Sequence, residues 1–160
     1  MPIPSQIAHA AGTFRANADL LAKCCDGLTS EEWHRRPGDS SNCLLWIVGH
    51  LVWARSRTLN LLGSPWSAPW LPLFERGAKP VGPAQYPPPA EVLAAWNTLC
   101  DALPGAMESV TDEILSAPFR PPSIDGKVSG MVDFLAFHET YHLGQVAYLC
   151  RWLGHEGIAG

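Results

Sequence analysis

Residues 129–153 read SGMVDFLAFHETYHLGQVAYLCRWL. At 100° per residue from His138, His142 falls about 40° away and Gln145 about 20° the other way. Met131 and Leu149 lie within about 20°, and Phe134, Leu135, Trp152 and Leu153 within about 60°. The apolar residues thus share one helical face, and two histidines and a glutamine sit in the middle of it, where a core is expected. Bare imidazoles there are unfavourable unless their nitrogens find partners. A histidine pair at i and i+4 sends two nitrogens toward one point, the spacing of a helical chelate for a divalent metal.

Working outward, three further helical patterns precede this one. The first runs from about Ser5 to Leu28, with Ile7, Phe14, Leu20, Leu21 and Leu28 at helical spacing. Thr29-Ser30-Glu31-Glu32 opens a short capped turn that ends at Pro37-Gly38. The second helix follows the N-cap residues Ser40-Ser41-Asn42 and reaches Leu62, where Gly63 and Pro65 stop it. The third starts within Pro88-Pro89-Ala90-Glu91 and continues to about Val110, with a kink or early break expected at Pro104-Gly105. The fourth spans about Ser129 to Leu153, with Gly154 as its C′ residue.

No segment alternates with period two, and no repeat is visible. Eight of the fifteen prolines fall in residues 63–89, between the second and third helices. Trp66, Trp70, Leu71, Leu73 and Phe74 make that loop too apolar for a solvated linker, so it should pack over one end of a bundle, as a lid or within a subunit interface. The fold class is all-α: a four-helix bundle with one long Pro- and Trp-rich crossover, residues 1–160 forming one domain.

On the second helix His50 shares a face with Cys43, Trp46, Ile47, Trp53, Ala54, Arg57 and Leu61. Because residues 44–54 are apolar nearly all round, this helix should be central and His50 a third buried imidazole. Taken singly, each of these histidines reads as a core residue bonded to a carbonyl. Three neutral imidazoles on facing helices satisfy one another poorly, whereas one shared cation satisfies all three. Cys43 lies two turns away, about 10 Å along the axis, too far for a fourth ligand. His9, His34 and His155 lie near helix ends or loops, where solvation is expected.

His138-Glu139-Thr140-Tyr141-His142 is also a literal HExxH. About 0.01 chance matches are expected at this composition, so the motif is informative. A protease reading fares poorly: the extended metzincin pattern wants Gly and His where Gln145 and Tyr148 stand, and no strand is available to hold an extended peptide. Glu139, about 60° from His142, reads as a residue on the flank of the helix, with a general base or a carboxylate supporting the ligands as alternatives.

Asn42-Cys-Leu-Leu-Trp-Ile-Val-Gly-His50-Leu, the Leu62-Gly63 stop, Leu73-Phe-Glu-Arg-Gly77, Tyr86-Pro87, His138-Glu-Thr-Tyr-His-Leu-Gly-Gln145 and Arg151-Trp-Leu-Gly154 together resemble the DinB/YfiT-like superfamily of metalloenzymes over nearly the whole chain. The resemblance implies a four-helix bundle holding a divalent metal, zinc or nickel, on His50, His138 and His142. It also implies thiol-dependent transferases and isomerases using bacillithiol, mycothiol or glutathione, and dimers formed through bundle faces. Three protein ligands leave an open position, as catalytic metal sites do. A metal-bound thiol co-substrate would lose its proton more easily and attack an electrophilic small molecule. Gln145 is a candidate to bind a metal-bound water or substrate, and Arg57 to neutralise an anionic substrate, with helix packing and a surface position as the alternatives. A metal-binding scaffold without chemistry is the other reading of the same site.

Composition narrows the classes further. The chain is 47% hydrophobic and 16% charged with a formal charge of −4, which excludes global disorder and speaks against nucleic acid as a partner. Five cysteines without a CxxC imply small buried hydrophobes in a reducing cytoplasm. The N-terminal residues show no signal-peptide pattern, and no apolar run is long enough to span a membrane. The expectation is a cytoplasmic homodimer acting on a small molecule.

Overall fold

The computed structural model describes residues 2–79 and 81–157. Its long helices are α1 (Ala8–Cys25), α2 (Leu44–Leu61), α3 (Pro89–Ser109) and α5 (Val128–Trp152), and a short α4 (Asp112–Ser116) precedes the last. α5 packs against both α1 and α2, and α2 packs against α3 on its other side. The four long helices make a four-helix bundle, and one apolar cluster runs through it from Ile7 to Cys150. Among the described residues no helix is long and apolar enough to cross a membrane.

α2 owes its central place to residues such as Leu44, Leu45, Val48, Leu51, Val52 and Leu59, each at most 1% exposed. Its N-cap is Cys43, without a side-chain bond, rather than the serines and asparagine before it. At the other end Gly63 adopts φ +80°, which lets Ser64 N–H reach the Leu59 carbonyl at 2.9 Å and Gly63 N–H reach Asn60 at 3.2 Å. Gly154, at φ +98°, closes α5 in the same way, with His155 N–H on Cys150 O at 3.0 Å.

Three features differ from the expectation. α1 is preceded by a 3-10 turn, Ser5–Ile7, and ends at Cys25, three residues short of Leu28, before the left-handed Gly27. α3 runs unbroken through Pro104, since the burial of Leu99, Leu103, Ala106 and Met107 on either side outweighs the lost hydrogen bond. The segment between α3 and α5 carries α4, capped by Thr111, and a bridge between Pro118 and Lys127. There Asp125 accepts from Lys127 N–H at 2.9 Å and Gly130 N–H at 3.0 Å, satisfying the start of α5.

The crossover between α2 and α3 does pack inward. Leu71 and Phe74 are buried in it, and Trp66, Trp70, Phe74 and Tyr86 form a chain of ring contacts with centroids 6.4, 5.7 and 5.3 Å apart. Pro80, one of its prolines, lies outside the described residues.

Past the end of α5, His155 is not free in solvent: its Nε2 contacts Glu32 Oε1 at 2.9 Å. Bonds from the Thr29 backbone and hydroxyl, with His155 adding to them, hold the Glu32 carboxyl down at about 2. A depressed carboxyl contributes stability that is complete above its ordinary pKa of 4.5 and is lost as pH falls through about 2. Urea unfolding of the protein and Glu32→Gln across that window should show a stability gap that narrows as pH falls from 4.5 to 2. A constant gap would show that the carboxylate contributes nothing through its charge.

Candidate metal centre

His50 stands on α2 and is 3% exposed. Its Nδ1 lies 2.6 Å from the Phe74 carbonyl, an acceptor, so Nδ1 carries the proton and Nε2 bears a lone pair. Phe74 is brought there by Gly49, where any Cβ would overlap the Phe74 ring. Trp46 and Trp53 stack on the His50 ring at 5.0 and 5.1 Å, tilted by 10° and 16°. The loop thus fixes the tautomer of His50 and two neighbours on its own helix fix the ring plane.

His138 and His142 come from α5, and both are half-buried. His142 Nδ1 lies 2.7 Å from Gln145 Oε1, which leaves a lone pair on its Nε2 as well. His138 Nε2 is 3.3 Å from His50 Nε2 and 3.1 Å from His142 Nε2. These two spacings match the roughly 3.3 Å edge of a tetrahedron built on zinc–nitrogen bonds of about 2.0–2.1 Å, and the His50–His142 pair is wider. Each histidine offers one nitrogen, all within 4.8 Å of one another.

Burial pushes the pKa of all three imidazoles down, that of His138 to about 4, with His142, His50 and Arg76 adding to the effect on His138. At neutral pH they are uncharged and carry lone pairs. His138 has one ring proton to share between two facing lone pairs, and its own buried Nδ1 has no hydrogen-bond partner. One proton cannot serve both lone pairs, so the facing Nε2 atoms call for a positive centre, whereas the His138 Nδ1 stays unpartnered with or without one. The donor set therefore fits a divalent cation.

A family model described as the DinB superfamily matches residues 13–146. The chain belongs to the DinB superfamily. A solved structure similar to it, YfiT from Bacillus subtilis, is described as a probable metal-dependent hydrolase with an unusual four-helix bundle topology. It superposes with a TM-score of 0.67 at 14% identity, covering 97% of this chain and 92% of that one. No curated protein matches the sequence significantly.

Within this DinB-superfamily chain Gln145 takes a place not expected, whereas Arg57 takes the surface position given as its alternative and Cys43 stays apart from the site as expected. Gln145 does not point into the cluster; it holds His142 from behind, with Nε2 toward the Tyr141 hydroxyl at 3.5 Å. Arg57 is exposed and lies over the Trp53 ring at 5.1 Å, outside the three-histidine group. Cys43 is buried at the start of α2 and outside the three-histidine group.

Glu139 is the main correction. It is 1% exposed rather than on the flank, because α5 packs against both α1 and α2 and its buried arc is wider than one stripe. Its carboxylate meets Arg55 in a two-pronged contact, Nε to Oε2 at 3.0 Å and Nη2 to Oε1 at 2.5 Å. Its pKa is raised, burial outweighing the opposing pull of Arg55. The guanidinium stays charged, so its partner is the anion at neutral pH. With both oxygens occupied, Glu139 is not placed to act as the general base of a zinc protease.

Arg55 escaped the sequence reading. Its Nη2 also donates to the Phe14 carbonyl at 3.0 Å, and its guanidinium lies 3.9 Å from the Trp96 ring centroid. An arginine within a helix apolar nearly all round, facing a second helix with one glutamate at mid-length, was the available signal. Arg55→Met, which strands the Glu139 charge, should cost about 3–5 kcal/mol in urea unfolding, and Arg55→Met with Glu139→Leu should recover most of it. Equal losses in both variants would mean that the charge pairing is not what the site requires.

Proposed function

We propose that the chain is a metal-dependent enzyme that holds one divalent ion, zinc or nickel, on His50, His138 and His142, and promotes transfer of a low-molecular-weight thiol to an electrophilic small molecule. The observation that carries this reading is the convergence of three uncharged imidazole nitrogens, two of them on half-buried rings. A divalent ion there supplies Lewis acidity, lowering the pKa of a thiol brought to it.

The chain's own residues supply orientation. The Phe74 carbonyl and the Trp46 and Trp53 rings hold His50, and Gln145 holds His142. Both α5 histidines reach the surface in part, which favours access over a sealed structural ion. The thiol reaction rests on what the sequence resemblance implies, and the description of YfiT as a probable metal-dependent hydrolase supports metal dependence.

Metal-loaded protein should consume glutathione or cysteine in the presence of chlorodinitrobenzene, and His138→Ala should abolish both tight metal binding and that activity. Gln145→Ala should keep the metal with affinity lowered about 10-fold, the scale for loss of a group that orients a ligand. Calorimetry and a thiol assay check these outcomes. Unchanged metal affinity in His138→Ala would refute the metal site. Metal-dependent hydrolysis of model esters or amides without thiol consumption would replace thiol transfer by hydrolysis.

A further inference from the structure

A cleft of about 290 Å³ lies between α1 and α3, and none of the three histidines lines it. It exists because α1 turns small residues toward α3: Ala8, Ala11, Gly12 and Ala18 recur at helical spacing. A Cβ added at Gly12 would meet nothing within 4 Å. Leu103, Pro104 and Met107 form an apolar facing wall, while the exposed Arg15 and Asp19 line the cleft from α1. The volume is at the lower end of the roughly 300–1,000 Å³ usual for small-molecule sites.

The floor is polar. Arg55 and Cys100 line the cleft, and Arg55 is 1% exposed. A guanidinium has five N–H donors. Four have acceptors: Glu139 takes one from Nε and one from Nη2, Phe14 O takes the other from Nη2, and Cys100 Sγ takes one from Nη1. The fifth, also on Nη1, has no acceptor among the described residues. Nη1 is the atom bonded to Cys100, and both Arg55 and Cys100 line the cleft. A buried donor of this kind calls for an acceptor.

Charge selects the acceptor. Glu139 already balances Arg55, and the Cys100 thiol, pushed up to about 11 chiefly by burial, is uncharged. The exposed Arg15 and Asp19 of the lining are of opposite sign, so a carboxylate would add an unbalanced charge, whereas a carbonyl oxygen would not. We infer that the α1–α3 cleft is a second site, separate from the histidine cluster, which binds a neutral, largely apolar small molecule through one hydrogen-bond acceptor on the spare Arg55 N–H.

Acetophenone is the test ligand, titrated into the isotope-labelled full chain and followed by amide and Arg55 Nε–H resonances. Saturable shifts at Gly12 and Arg55 are expected. The isosteric hydrocarbon α-methylstyrene, which lacks the oxygen, should bind about 10-fold more weakly, as should benzoate. Gly12→Leu fills the cleft from a helical position with free space, so it should abolish the shifts while circular dichroism and metal binding stay unchanged. No saturable shift with acetophenone would overturn the inference, as would binding that survives Gly12→Leu. Equal affinity for the hydrocarbon would remove the role of the Arg55 donor, and tight benzoate binding would remove the selection for a neutral ligand.

Discussion

Arg55 and Glu139 are each 1% exposed and meet through two hydrogen bonds, and such a two-pronged contact tolerates little sliding of one helix along another. It therefore pins α2 against α5. His50 lies five residues before Arg55 on α2, and His138 immediately precedes Glu139 on α5. The register that satisfies the ion pair is the register that brings the three imidazoles together. Replacing such a pair by apolar residues is often neutral for stability, so its contribution here is to position rather than to net folding energy.

The pair is also where all four long helices meet. α1 supplies the Phe14 carbonyl, α3 supplies Cys100 and Trp96, and Asn17 on α1 bonds Thr140 on α5 at 3.0 Å one residue beyond Glu139. A polar group at such a junction must be fully satisfied or it destabilises the bundle. In the histidine cluster the same demand is met unevenly. His50 and His142 have partners for their Nδ1 groups, while His138 stands between them with an unpartnered Nδ1 and two facing lone pairs.

Helical phase made the cluster legible because two histidines at i and i+4 interrupt an apolar face, a local pattern that depends on nothing beyond α5. His50 followed from the apolar girth of α2. Glu139 was misplaced because phase describes one stripe, and α5 is buried by two neighbours. Phe74 could be recognised as loop core, but that its backbone carbonyl grips His50 depends on Gly49 admitting its ring, a contact no periodicity encodes. The turn of Gln145 toward His142 is a side-chain choice between two nearby partners, and the α1–α3 cleft arises from alanines and a glycine that read in sequence as an ordinary helix face.

The central claim is that three imidazole nitrogens converge on one divalent cation. X-ray absorption at the metal edge of the zinc- or nickel-loaded protein counts the ligands directly. Three imidazoles with at least one further light-atom ligand from outside the chain is the expected first shell. Two or fewer imidazoles, or a sulfur ligand from a cysteine of this chain, would contradict the account.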